Sequence, residues 1–423
     1  MTHRHYVLLL LSLALAPLVL VASINLVADP LGIYGVVETE GFNAIKPRAQ
    51  RFERLLKPIR AQRLNPDILI LGTSRSAYGI DPASPWLTAD GSVAFNNAVM
   101  GSTLRDLKAM ATHALLTTNA RTLLVDLDFF MFNIYKDTPY PFPHIVKKTP
   151  GDIGYIMSQW LVTLPSWDML DASRATLTGQ DEPERLNTLG LMINERKIAQ
   201  YLRKGGMRNA ADITLMDYTR ELWTPCPGTT YRYADPQTGA NTWQAFEELL
   251  ALSTAHDVRL VLYTSPVHAS LLATLDASGL WPAYEQWQRD LVEHLETYQA
   301  GHSDAQISFF DFSHINTITA EPIPAESDAE STMQWYVDPA HFRTEVGELM
   351  LAAITGHHEM VPDDFSSQPT TSNIEKLLAQ KRTTLYGYLT DNPDMALFAQ
   401  DLAQRGLALR AKLDLDCGGE PQY

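Results

Sequence analysis

The sequence predicts an α/β protein: a parallel sheet with helices on both faces, an N-terminal transmembrane helix, a mid-chain insertion and C-terminal helices. Three observations carry this. Short continuous apolar runs, the form of a strand buried on both faces, recur at Asp67–Gly72, Val93–Val99, Thr122–Leu127, Val258–Tyr263 and Ile307–Phe312. Helix-patterned stretches lie between several of them, notably Leu104–Leu116 and Thr242–Leu252. Tyr6 to Val27 is apolar apart from Ser12, Pro17, Ser23 and Asn25, and about 20 such residues suffice to cross the hydrocarbon core of a bilayer.

The length of 423 residues, 45% hydrophobic and 19% charged, allows one large domain or two ordinary ones around a substantial core. Forty-nine acidic against 33 basic residues give a net charge of -16. That balance disfavours phosphate gripping, so nucleic acid is not an expected partner.

Residues 1–28 read as a cytoplasmic tip and transmembrane anchor. A cleaved signal peptide is the competing reading, but the apolar stretch exceeds the usual signal core and Val21-Ala22-Ser23 is a weak cleavage site. Arg4 precedes the span, while Lys46 and Arg48 follow it, offset by Asp29, Glu38 and Glu40. A single first span before a long domain favours an outward orientation: single-pass in the inner (cell) membrane, with the main domain in the periplasm or exterior. There Cys226 and Cys417 would meet an oxidising compartment, either paired or as two thiols.

Residues 29–65 form a connector whose stretch Arg48–Leu64 places Arg51, Phe52, Leu55, Leu56 and Ile59 at helical spacing, ending near Asn65-Pro66. Residues 66–356 form the main domain. Its first strand ends just before Ser74, and ligands of such sheets bind beyond the carboxyl ends of the strands. Ser74, Gly101 and Asp128 therefore share one rim.

An insertion at about 133–240 lacks the strand rhythm, and its turn-forming aromatic stretch Tyr135–Pro143 reads either as a substrate-contacting cap or as a surface excursion. Residues 357–423 are a C-terminal helical extension. In it, Pro362–Ser372 is loop-like and two helical patterns follow, Ile374–Tyr388 and Met395–Leu413.

Two short motifs carry chemistry as a unit: Gly72-Thr73-Ser74-Arg75 and Asp338-Pro339-Ala340-His341. A serine hydroxyl is a poor nucleophile until a histidine takes its proton, and the histidine needs a carboxylate to fix its tautomer. Asp338, three residues before His341, would let both side chains project from one turn at a helix start. The elbow glycine of Gly-x-Ser-x-Gly hydrolases is absent, since Ser76 stands in its place.

Each residue alone has a blander reading. A Ser after Gly is commonly a turn or helix cap, and an Asp before a helix its N-cap. Arg75 suits an anionic substrate group or a structural carboxylate equally. Asp126 and Asp128 with His341 are weak evidence for a metal, and none is assigned. Neither Gly-x-x-x-x-Gly-Lys nor Gly-x-Gly-x-x-Gly occurs, and no cofactor is expected.

Three blocks together resemble the SGNH (GDSL-like) hydrolase superfamily, in particular its membrane-anchored bacterial members linked to envelope acyl transfer and exopolysaccharide O-acetylation. Ile70-Leu71-Gly72-Thr73-Ser74-Arg75-Ser76 is similar to the first block. Asn97-Ala98-Val99-Met100-Gly101-Ser102-Thr103 is similar to the second. Trp335-Tyr336-Val337-Asp338-Pro339-Ala340-His341-Phe342, before a helix at Thr344–Ile354, is similar to the last.

The resemblance implies a three-layer, flavodoxin-like sheet with Ser74 as nucleophile, His341 as general base and acid, and Asp338 orienting it. It makes the N–H groups of Ser74 and Gly101 oxyanion donors. Arg75, Asn97 and Asp128 stand beside them as candidate substrate-binding residues.

The chain departs from the family at Val125-Asp126-Leu127-Asp128-Phe129-Phe130, where Gly-x-Asn-Asp is usual. Asn133 or Arg75 would have to replace the missing amide, or the hole has two donors. The implied activity is a serine esterase or O-acyltransferase acting on an acyl ester of an envelope or secreted glycan. A membrane acyl-donor protein is an implied partner. The alternative is a non-catalytic, envelope-tethered glycan-binding or assembly factor on the same fold.

Overall fold

The computed structural model describes residues 2–136, 157, 160–161, 163–223, 231–236 and 238–412. Cys226, Cys417 and residues 137–143 of the aromatic stretch lie outside them. The protein is α/β, with a five-stranded parallel sheet flanked by helices and an apolar N-terminal helix.

Helix α1 (His3–Ala28) is 26 residues, about 39 Å by its rise. It is long and apolar enough to cross a membrane, and its side chains stay exposed until Val21. Its last two turns pack on the domain. Asp29, left-handed at φ 43°, then turns the chain and accepts the backbone N–H groups of Ile33, Tyr34 and Gly35.

The connector helix is shorter than its pattern predicts. A 3₁₀ turn, Ala49–Phe52, precedes α2 (Glu53–Leu64), which ends at Asn65 in the left-handed conformation just before Pro66. The Asn65-Pro66 stop is a local steric signal and falls where the sequence places it.

The sheet comprises β1 (Ile68–Leu71), β2 (Ala94–Asn96), β3 (Thr122–Asp126), β4 (Arg259–Thr264) and β5 (Ile307–Asp311), in the order β2-β1-β3-β4-β5. The run Val93–Val99 yields only three strand residues. Asn97 and Val99 still donate to Ile70 and Gly72 carbonyls, but the chain bends to form the rim loop. Alternate residues enter two cores, because successive strand side chains face opposite sides. Leu69, Leu123, Leu260 and Leu262 lie in one, and Ile70, Leu124, Val261 and Phe310 in the other.

Between β1 and β3 come α3 (Ser74–Gly79), α4 (Pro85–Thr88) and α5 (Leu104–Thr117), the last opened by a Thr103/Asp106 capping box. The insertion carries α6 (Trp167–Thr178), α7 (Asn194–Arg203) and α8 (Gly206–Asp217), with a turn closed by the Leu186–Met192 bridge between α6 and α7. Helix α9 (Thr242–Ala255) leads back into β4, followed by α10 (Ala269–Ala277) and α11 (Trp281–Gly301).

Asp338 and His341 do not share a helix turn, contrary to the sequence expectation. They are cross-strand partners in a small antiparallel hairpin, β6 (Tyr336–Asp338) and β7 (His341–Phe342), with Pro339-Ala340 as its turn. Proline at the turn ends the ladder, and α12 (Thr344–Ile354) begins only beyond it. Helices α13 (Ile374–Asp391) and α14 (Pro393–Arg410) complete the described chain.

Candidate active site

Parallel pairing puts the carboxyl ends of β1, β2 and β3 on one edge, and with them Ser74, Gly101 and Asp128. Gly72 must be glycine there. A Cβ would stand 2.6 Å from Ser76 Oγ and 2.7 Å from Asp126 Cβ. Ser76 occupies the missing elbow-glycine position because its hydroxyl has a buried home, 2.8 Å from the Tyr263 hydroxyl and 3.2 Å from Asp126 Oδ2. Thr73 caps α3, accepting the Arg75 N–H, so Ser74 opens the helix and remains partly exposed.

His341 Nε2 lies 2.7 Å from Ser74 Oγ, and His341 Nδ1 lies 2.7 Å from Asp338 Oδ1. Asp338 is fully buried, yet both oxygens are satisfied. Oδ1 also accepts the Ala340 N–H, while Oδ2 accepts the Tyr201 hydroxyl at 2.8 Å and pairs with Lys197 Nζ at 2.9 Å.

Lys197 Nζ is also 3.0 Å from His341 Nδ1. Both are donors if Nδ1–H faces Asp338, so that approach is a repulsion, not a hydrogen bond. The tautomer with Nδ1–H on Asp338 leaves Nε2 to accept the Ser74 proton.

The electrostatics follow this geometry. Burial raises the Asp338 carboxyl, but His341 and Lys197 outweigh it and hold it well below the usual carboxylate range. Burial lowers the His341 imidazole; Asp338 opposes that and Lys197 reinforces it, leaving a net depression. Burial lowers the Lys197 ammonium, and Asp338 more than reverses this. Tyr78 packs edge-on against His341 at 5.5 Å between ring centroids, with Lys197 4.8 Å from the Tyr78 centroid.

Gly101 is left-handed at φ 62°, and a Cβ there would meet nothing within 4 Å. Backbone conformation therefore requires the glycine, and the space beside it is open. Its loop is held from both sides. Ser102 Oγ donates to the Gly72 carbonyl, and Lys57 and Arg54 of α2 donate to the Ala98 and Met100 carbonyls, while Glu53 accepts the Met100 N–H. The connector helix is thus a brace for this loop.

The other candidates divide. Arg75 and Asp128 do not lie open to a substrate: they pair with each other at 2.6 Å in the interior, and Arg75 also donates to the Tyr218 hydroxyl. Burial pushes Asp128 up to about 6 against the opposing Arg75 charge. Asn133 is buried and employed, its amide donating to the Trp223 carbonyl and accepting the Arg232 and Tyr135 N–H groups. Among the described residues no hydrogen bond joins it to Ser74, Gly101 or His341.

Asn97 is buried with neither amide atom hydrogen-bonded. Among the described residues no group of three His, Cys, Asp or Glu side chains is arranged to hold a metal ion.

Sequence reasoning missed Lys197, Tyr201 and Tyr78. The i, i+4 spacing of Lys197 and Tyr201 on α7 was a faint signal, but nothing local says that the insertion returns to Asp338. No protein-family model matches the chain, nor does any curated protein.

Proposed function

We propose that this protein is a membrane-tethered serine esterase or O-acyltransferase of the SGNH (GDSL-like) type. Its main domain faces the periplasm or exterior, and it acts on an acyl ester of an envelope or secreted glycan. The observation that carries the reading is the continuous chain from Ser74 Oγ through His341 to a buried, fully hydrogen-bonded Asp338. The strand order β2-β1-β3-β4-β5 supports a three-layer, flavodoxin-like arrangement, in which ligands bind at the β1/β3 switch point beside Ser74.

In this reading Ser74 Oγ attacks the acyl carbonyl as its proton passes to His341 Nε2. His341 then gives that proton to the departing alkoxide, leaving an acyl-serine. Water or a sugar hydroxyl next loses its proton to His341 and attacks the acyl group, and the proton returns to Ser74. Backbone N–H groups of Ser74 and Gly101 stabilise the oxyanion. The amide of Asn133 is occupied by the Trp223 carbonyl, so the reading rests on two backbone donors.

The test is the rate of labelling by a serine-reactive fluorophosphonate on the full chain. Ser74→Ala and His341→Ala should abolish labelling. Asn133→Ala should act mainly on stability and leave labelling close to the wild-type rate. Labelling that survives both Ser74→Ala and His341→Ala would sink the proposal. Folded wild-type protein that never labels would favour the non-catalytic binding factor.

A further inference from the structure

Helix α6 of the insertion packs directly on the last two turns of α1. The joint is specific: Asn25 Nδ2 donates to the Leu164 and Ser166 carbonyls, and Ser173 Oγ donates to Asn25 Oδ1. One face of α6, with Met169 and Ala172, is buried. The other carries Trp167, Leu170, Asp171, Arg174, Leu177 and Thr178 at helical spacing, and with Ile24 of α1 it walls a groove of about 510 Å³.

Trp167 is 71% exposed, and Trp160 and Leu161 just ahead of α6 are also more than half exposed. A soluble surface rarely gathers such side chains without a partner. What lies beside them is the helix whose preceding turns are apolar on all sides.

We propose that α6 is an interfacial membrane helix, seated in the outward head-group layer of the bilayer that α1 crosses, with phospholipid acyl chains in the groove between Trp167, Leu177 and Ile24. The proposal rests on the reading of α1 as a membrane span, not on the chemistry of Ser74. The level follows from α1. Its side chains pass from exposed to protein-covered at Val21, within a turn of Ile24, so α6 stands where hydrocarbon gives way to head groups.

Tryptophan favours that layer because its ring is apolar and its N–H seeks water. Arg174 has no carboxylate partner among the described residues and can meet a lipid phosphate, with Asp171 one turn away suited to an ethanolamine ammonium. The catalytic domain is therefore fixed on the membrane surface at two points.

The experiment uses the full chain in liposomes of phosphatidylethanolamine brominated on the upper acyl carbons, reading tryptophan quenching. Wild-type protein should be quenched, the Trp160→Phe/Trp167→Phe variant should lose most of that quenching, and Trp86→Phe on α4 should keep it. Quenching unchanged in the double variant, or absent from wild-type protein that resists alkaline extraction, would overturn the proposal. Absent quenching with two chains held together by cross-linking would show a second copy on this face instead. Release at alkaline pH would overturn the span, and with it this seat, whatever the fluorophosphonate result.

Discussion

At the residue scale, the proposed mechanism makes Lys197 the group that sets the working range of the base. The groups around His341 are Asp338 from its own hairpin, Lys197 and Tyr201 from α7, and Ser74, Arg75 and Tyr78 from α3; Asp217 and Tyr218 reach it only through Asp338, Lys197 and Arg75. Burial lowers the imidazole first, and Lys197 and Arg75 add to that while Asp338 opposes it. In the proposed mechanism a neutral His341 is the active base, so the acid limb of a pH–rate profile should lie below the ordinary imidazole value of about 6.5. Lys197→Met removes a lowering charge and should move that limb to higher pH, whereas Lys197→Arg should leave it nearly in place. The pH dependence of labelling rate measures this, and an unmoved limb in folded Lys197→Met would show that the contact only props up Asp338.

At the scale of elements, three pieces must register to within ångströms: α3 carries Ser74, β7 carries His341, and α12 closes behind them. Two glycines permit it. A Cβ on Gly79 would stand 2.0 Å from the Phe342 ring, and one on Gly347 would stand 1.9 Å from the Gly79 carbonyl oxygen. Neither position is left-handed, so the demand is for space, not conformation. Gly79→Ala should therefore destabilise the protein by about 1–3 kcal/mol, as overpacking does, and should also slow labelling by lengthening the Ser74–His341 contact. Urea unfolding and labelling rate report the two effects, and a variant normal in both would refute the locked register.

At the scale of the whole molecule, His268 should make the fold sensitive to mild acid. His268 is fully buried, with Nδ1 accepting the Ser270 N–H and Nε2 donating to the Glu321 carbonyl, which fixes the neutral ring. Burial lowers its pKa to about 4, only partly offset by the Glu321 carbonyl. The unfolded chain, titrating near 6.5, then binds the extra proton first. The contribution is full above that value and is lost as pH falls towards 4, on the order of 3 kcal/mol in all. Asp128, raised to about 6, acts in the opposite sense over part of that window, so the measure is the difference between wild type and His268→Gln: the wild-type urea midpoint should fall relative to that of the variant from about pH 6.5 to about pH 4, and a constant difference would refute the assignment. Asp311, which burial raises but Lys381 pulls well below the carboxylate range, keeps its contribution through the same window.

What the sequence determined by itself was whatever depends on near neighbours. Apolar runs placed the five strands, Asn65-Pro66 ended α2, and the Thr344–Ile354 pattern matched α12, because strand burial, proline sterics and helical spacing all act within a few residues. It also singled out Ser74, Asp338 and His341, since their residue types carry the chemistry. Tertiary structure alone decided how they meet. The meeting of Ser74 with His341, the return of α7 to clamp Asp338, and the diversion of Arg75 onto Asp128 are contacts between residues far apart in the chain. Such contacts are governed by packing and by the cost of leaving a buried charge unpaired. That cost is why Arg75 and Asp128, readable as substrate ligands one at a time, resolve into each other's counter-ion once the fold removes both from water.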